Sequence, residues 1–219
     1  DGFVKACKEN NCALIGGEMA EMPGVYQPGD FDLAGTIVGI VEEPQLLPRV
    51  SIGAGDILLA LPSSGLHTNG FSLARKVLFE RMGLQVDSYL EELGCSLSEC
   101  LLQVHRSYLP VLLPYLKDSN LLALAHITGG GIGGNLKRVL PSGIKAVVNL
   151  PKTAIPPIYH IIQKGGNVTD DVMRQTFNLG VGMICVVKQE LVSRFMQDTG
   201  ATILGELETC ESAARVEFK

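Results

Sequence analysis

Apolar residues fall in short clusters along the whole chain, each closed by glycine, proline or a polar pair. Residues 2–11 place Phe3, Val4, Ala6 and Cys7 at helical spacing, which predicts a short amphipathic helix. Cys12-Ala13-Leu14-Ile15 running into Gly16-Gly17 predicts a buried strand that ends in a glycine turn. Residues 31–41, apolar and β-branched, predict a second strand, with a proline-bearing loop between the two. Two acids and two prolines in residues 42–49 break both periodicities and mark a linker. Ile57-Leu58-Leu59-Ala60-Leu61 then predicts a strand, followed by a polar loop and a helix reaching about residue 82. Residues 85–100 look polar and irregular. Residues 101–116 read as a helix kinked or split by Pro110 and Pro114. Strands are predicted at 121–128, 145–150, 181–187 and 202–207, with a last edge strand at 216–218. Helices are predicted at 135–140, 156–165 and 191–199. This interleaving gives an α/β class built of α+β layers.

Composition sharpens that picture by exclusion. Of the 219 residues, 46 % are hydrophobic and 19 % charged, a balance that supports a folded core and argues against disorder. The net charge is −5, with no basic run and no aromatic–basic interleaving, so neither nucleic acid nor a membrane surface is an expected partner. No apolar stretch is long enough to span a bilayer and no secretory leader is visible, so a cytoplasmic protein is expected. The six cysteines, Cys7, Cys12, Cys95, Cys100, Cys185 and Cys210, lack metal-binding spacing and read as reduced structural thiols. The chain opens on Asp1-Gly2-Phe3, without an initiator Met and already helical in pattern. An upstream neighbour is therefore expected.

Candidate chemistry gathers where strands end. Ser63-Ser64-Gly65-Leu66-His67-Thr68-Asn69-Gly70 sits between a strand and a helix and combines glycines, hydroxyls, an imidazole and a carboxamide. Backbone amides at such a junction form an anion cradle. The plainer alternative is a glycine turn whose hydroxyls cap the next helix. His67 suits a phosphate donor or a general acid or base. Gly16-Gly17-Glu18, with Glu21 nearby, offers a carboxylate on a glycine turn, a Mg²⁺–phosphate motif or a solvated acidic loop. Thr128-Gly129-Gly130-Gly131 repeats the strand–glycine–helix logic, and Thr176-Phe177-Asn178-Leu179-Gly180 is a polar turn entering an apolar strand. His126, on an apolar strand, reads as a core histidine. Arg106 could face a phosphate or form a surface salt bridge.

In this order the four motifs closely resemble phosphoribosylformylglycinamidine cyclo-ligase, the aminoimidazole ribonucleotide (AIR) synthetase family, over nearly the whole chain. The loop style is similar to that of the animal multifunctional purine-synthesis proteins. The resemblance implies a two-domain AIR-synthetase-like fold. Residues 1–43 would be the end of the N-terminal ATP-binding and dimerisation domain, 44–52 a linker and 53–219 a complete C-terminal domain. It implies a homodimer, possible fusion to other purine-pathway domains, and ATP with Mg²⁺ as cofactors in ring closure of formylglycinamidine ribonucleotide. It assigns His67 and Asn69 to catalysis and Gly16, Gly17 and Glu18 to the nucleotide, with Glu18 on the metal. Ser64, Gly65, Thr68, Gly70, Gly129, Gly130, Gly131 and Asn178 would hold the substrate. Met19, His105 and Gly134 depart from the family pattern. Two readings therefore stay beside the first: another ATP-using enzyme of the superfamily (the amidotransferase of the preceding step, or a selenophosphate synthetase or thiamine-phosphate kinase type), and an inactive copy with a scaffold or dimer role.

Overall fold

A computed structural model describes residues 1–211 and 215–219, which form two compact units, Asp1–Leu46 and Leu47–Lys219. In the first unit, helix α1 (Gly2–Glu9) matches the amphipathic pattern, and Asn10 closes it by donating through its carboxamide to the Ala6 carbonyl at 2.8 Å. The two strands expected at residues 12–17 and 31–41 do not form. Both segments are irregular, and side chains such as Ile15, Phe31, Ile37 and Ile40 are exposed. Their β-branched composition is a preference for a pleated, paired surface, and within this unit nothing supplies the lateral hydrogen bonds. The expected linker carries one 3-10 turn, Glu43–Gln45, with Pro44 near its start.

The second unit opens on β1 (Ile57–Pro62), followed by α2 (Phe71–Arg75), which runs on as a π-type turn over Lys76–Arg81. The stretch expected to be irregular holds a two-stranded ribbon, β2 (Tyr89–Leu90) and β3 (Cys95–Ser96), and helix α3 (Leu97–Leu101). The signal for α3 was present in Ser96-x-x-Glu99: the Ser96 hydroxyl accepts from the Glu99 amide, and Glu99 accepts from the Ser96 amide, a capping box. The long kinked helix expected at 101–116 shrinks to α4 (Leu109–Leu112) and a 3-10 turn, Leu113–Tyr115. Pro110 and Pro114 each lie in the first turn of one of these pieces, where a missing amide costs nothing, so they start elements instead of kinking one.

Next come β4 (Leu121–His126), α5 (Gly131–Leu136), β5 (Ile144–Val148), α6 (Pro157–Gly166) and α7 (Asp170–Thr176). The chain then forms β6 (Val181–Val187), α8 (Gln189–Thr199), β7 (Thr202–Thr209) and β8 (Arg215–Phe218). Helix α5 begins at Gly131, four residues before the expected start at 135. Helix α7 was not expected, although its Thr169 N-cap and the acids Asp170 and Asp171 are ordinary start signals.

The six long strands form one sheet in the order β4-β6-β1-β7-β5-β8, antiparallel throughout except for β5 with the edge strand β8. Alternation along β1 divides its side chains between two cores. Leu58 and Ala60 pack with Ile132 and Leu136 of α5, while Leu59 and Leu61 pack with Leu112 of α4 and Phe195 of α8. Burial on both faces explains why β1 is a continuous apolar run instead of an alternating one. A third cluster joins α2, α3, α6 and α7 through Leu78, Leu97, Ile162 and Met173.

This topology places the candidate motifs. Because β1 and β4 both run antiparallel to β6, their C-terminal ends lie beside its N-terminal end: Pro62 pairs with Val181 and His126 with Met183. The loops that follow β1 and β4 and the turn that precedes β6 therefore share one rim of the sheet.

Candidate functional site

Ser63 ties the β1 loop to the turn before β6. Its amide donates to the Gly180 carbonyl at 2.8 Å and its hydroxyl to Asn178 Oδ1 at 3.1 Å. Ser64 anchors the other side: its hydroxyl donates to the Val104 carbonyl at 2.7 Å and accepts from the Arg106 amide at 3.2 Å. The loop hydroxyls do not cap α2, whose N-cap is Gly70 with no side-chain cap, so simple capping does not account for them. Gly70 has φ +80°, and a Cβ there would lie 2.3 Å from the Phe177 ring; only glycine fits. Among the described residues, the amides of Gly65, Leu66, Thr68 and Gly70 meet no acceptor within the protein. Thr68 is exposed on this loop.

The third motif joins the first loop through Asn69, whose Oδ1 accepts the Gly129 amide at 3.0 Å. Gly130 is the left-handed N-cap of α5. At Gly131 the close approach is made by the protein itself. Its φ is +61°, and a Cβ would fall 1.8 Å from the Arg174 carbonyl, so this glycine seats α5 against α7. Asn135, 5 % exposed, pins the turn by donating to the Gly131 carbonyl at 2.8 Å and accepting from the Thr128 hydroxyl at 3.1 Å. Its position just after the glycines is the only hint of this role in the sequence.

Asn178, 2 % exposed, is the hub of the rim. Its Oδ1 accepts from Ser63, from the Gly180 amide at 2.8 Å and from the Tyr159 hydroxyl at 2.6 Å, while its Nδ2 donates to the Gly65 carbonyl at 3.0 Å. Tyr159 shares its proton with that same Gly65 carbonyl at 2.8 Å, and burial raises its pKa, which keeps the phenol a donor. Tyr159 sits on an apolar helical pattern that gave no sign of this polar role.

His67 lies in the left-handed region at φ +57°, and only 6 % of it is exposed. Its Nε2 accepts the Ser64 amide at 3.1 Å, whereas its buried Nδ1 has no partner. Its ring stacks on His105 with centroids 3.8 Å apart, and His105 Nε2 stands 3.2 Å from His126 Nε2. Burial first, then repulsion from His105 and His126, lowers the His67 pKa to about 4, so the ring is neutral at pH 7. Desolvation followed by the His126 charge lowers His105, and desolvation lowers His126. His126 was expected in the core; it ends β4 at the rim and is exposed, because the core-facing alternation stops at Ala125 and resumes at Ile127. Arg106 forms no surface salt bridge among the described residues: its guanidinium reaches the Pro62 carbonyl at 3.5 Å and lies 5.7 Å from the Tyr108 ring centroid.

Gly16, Gly17 and Glu18 belong to the first unit, on its exposed irregular segment. The sequence-predicted residues thus fall into two groups. Those from residue 63 onward meet at one rim of the sheet, and the Gly16-Gly17-Glu18 group is carried separately.

Comparison with known proteins is consistent with this fold. Residues 53–216 match the family model for the C-terminal domain of AIR synthase related proteins. A phosphoribosylformylglycinamidine cyclo-ligase of Geobacter sulfurreducens is 45 % identical over 98 % of this chain and 63 % of its own length. One of Alkaliphilus metalliredigens is 45 % identical over 94 % of this chain and 61 % of its own. The chain thus spans about three-fifths of the length of these relatives. Among solved structures, thiamine-monophosphate kinase from Stenotrophomonas maltophilia K279a shares the fold at TM-score 0.52 and 14 % identity, over 81 % of this chain and 54 % of that one. The chain therefore belongs to the AIR synthase related family, and residues 53–216 are its C-terminal domain.

Proposed function

We propose that the protein carrying this chain closes the imidazole ring of aminoimidazole ribonucleotide from formylglycinamidine ribonucleotide, using ATP and releasing ADP and phosphate. In that reaction the formyl oxygen takes the γ-phosphoryl group, the amidine nitrogen attacks the same carbon, and the C–O bond breaks with loss of phosphate. Positioning and charge neutralisation carry most of the rate in such phosphoryl transfers.

The observation that carries this reading is the convergence of three separate motifs at one rim: the Ser63–Asn178 and Asn69–Gly129 bonds join residues 115 and 60 positions apart. Unpaired amides of the Gly65–Gly70 loop face no internal acceptor and suit the oxygens of a 5′-phosphate. We assign Ser64, Gly65, Thr68, Gly70, Gly129, Gly130, Gly131 and Asn178 to holding the substrate, Gly131 and Asn178 through the shape of the rim. Asn69 keeps its Nδ2 free to donate while Oδ1 holds Gly129. His67, neutral at pH 7, serves as a hydrogen-bond partner or base and not as a fixed cation.

Gly16, Gly17 and Glu18 are assigned to the nucleotide, within an N-terminal domain to which residues 1–43 belong, with 44–52 as linker and 53–219 as the substrate-holding domain. The Glu18 carboxylate is exposed and has no partner among the described residues, a hard oxygen donor of the kind Mg²⁺ takes beside phosphate oxygens. Mg²⁺ held there would neutralise phosphate charge. A cytoplasmic homodimer, fused or not to other purine-pathway domains, completes the proposal; no described helix is long and apolar enough to cross a membrane.

Calorimetry on the full protein tests it. Formylglycinamidine ribonucleotide should bind, ADP should appear only in its presence, and Asn69→Ala should weaken substrate binding at least tenfold. Absence of substrate-dependent ADP release, or unchanged affinity in that variant, would overturn the assignment.

A further inference from the structure

The chain has four histidines, and three of them, His67, His105 and His126, come together from segments distant in sequence. Each offers a ring nitrogen, and these nitrogens all lie within 4.8 Å of one another. The His67 and His105 rings stack with centroids 3.8 Å apart, the His105 and His126 centroids are 5.2 Å apart, and among the described residues no carboxylate joins the group.

We propose that His67, His105 and His126 form a binding site for one borderline divalent transition-metal ion, with Zn²⁺ as the best fit. Zinc–imidazole bonds of about 2.0–2.1 Å in a tetrahedron set ligand nitrogens about 3.3 Å apart. The 3.2 Å between the Nε2 atoms of His105 and His126 already has that bite. Three imidazoles with no carboxylate among the described residues of the group select zinc, cobalt, nickel or copper over Mg²⁺. His126 ends β4 on the sheet and is fixed by its pairing with Met183, whereas His105 lies on the irregular segment before α4, so its ring can leave the His67 stack to meet the ion. Ligation exchanges the His105–His126 hydrogen bond for metal bonds, and ligation through His67 Nε2 would also displace the Ser64 amide. His105 and His126 also line an open cavity of about 580 Å³ with Tyr108, Leu112, Leu124 and Met183, which gives the ion an entry path and leaves a fourth coordination position open. The site shares His67 with the ring-closure reading, but ion binding needs no nucleotide, so it is read separately from ring closure.

The test is titration of the chelator-stripped full protein with Co²⁺, followed by its visible d–d bands, and with Zn²⁺ in competition. One ion per chain should bind, Mg²⁺ should not compete, and His105→Ala and His126→Ala should each weaken binding at least tenfold while circular dichroism stays unchanged. His160→Ala, which removes the histidine outside the cluster, should bind as the parent does. No tetrahedral Co²⁺ spectrum, or equal affinity in the two cluster variants and the parent, would overturn the site. An equal loss on removing His160 would do the same.

Discussion

Replacing Asn178 by alanine removes the side chain on which the bonds between the β1 loop and the entrance of β6 converge. Four contacts go: three donors lose the Oδ1 acceptor, and the Gly65 carbonyl loses the Nδ2 donor. Two of these groups recover, because the Tyr159 hydroxyl and the Gly65 carbonyl still bond each other at 2.8 Å. The Ser63 hydroxyl is half-buried and turns to water, whereas the Gly180 amide has no alternative acceptor nearby. Two net hydrogen bonds at about 1 kcal/mol each, with about 1–2 kcal/mol for the stranded amide, give a destabilisation of about 3–4 kcal/mol. For a domain of this size that lowers the melting temperature by about 6–15 °C. Calorimetric melting and urea titration of Asn178→Ala read it directly. Asn69→Ala is the internal comparator, since it removes a single exposed bond to the Gly129 amide and should cost about 1 kcal/mol or less. If the Asn178 variant costs no more than the Asn69 variant, the hub has no energetic weight and the rim is held by packing alone.

Three other outcomes follow from the same geometry. Gly70→Ala should cost about 3 kcal/mol in urea unfolding, because its Cβ meets the Phe177 ring at a positive φ; Gly83→Ala, also at positive φ but in open space, should cost about 1 kcal/mol. Lys188→Met leaves the buried Asp56 carboxylate with the Gly53 amide but without its cation, which Lys188 supplies at 2.7 Å, and should destabilise by about 2 kcal/mol, less than for a fully buried pair because the lysine is a third exposed. The Glu99 carboxyl should titrate below the ordinary glutamate range in NMR, through its bonds to the Ser96 hydroxyl and amide. Its folded pKa is depressed, so the capping contribution is present above the unfolded value and is lost as pH falls through the folded one. Ser96→Ala should move the titration back toward the ordinary range.

The sheet was legible because its strands β1, β4 and β6 are apolar runs bounded by glycine, proline or a polar turn, and two-sided burial only lengthened those runs. The first unit misled for the converse reason: Cys12-Ala13-Leu14-Ile15 and residues 31–41 carry strand composition, but pairing is a property of a partner that composition cannot name. At the rim, Ser64, His67, Asn69 and Asn178 stood out because small polar residues at strand ends are otherwise unneeded. Tyr159 and His126 did not, because each lies inside an apolar pattern whose periodicity hides where one side chain turns away. His105 stood out only as a departure from the family pattern, with nothing local to mark it as a site residue; its place depends on how an irregular segment crosses the ends of β1 and β4.

The clamping of β1 between two cores also bears on how such a chain diverges. Substitutions along the strand must satisfy packing on both faces at once, so the strand body changes slowly and its register is preserved. The rim loops carry no such double constraint except at positions such as Gly70, Gly131, Asn178 and Gly180, where the scaffold itself uses the residue. Ligand preference is therefore separable from foldability in this architecture: a lineage can exchange the chemistry at the rim in small steps, each neutral for the sheet, as long as such positions are spared.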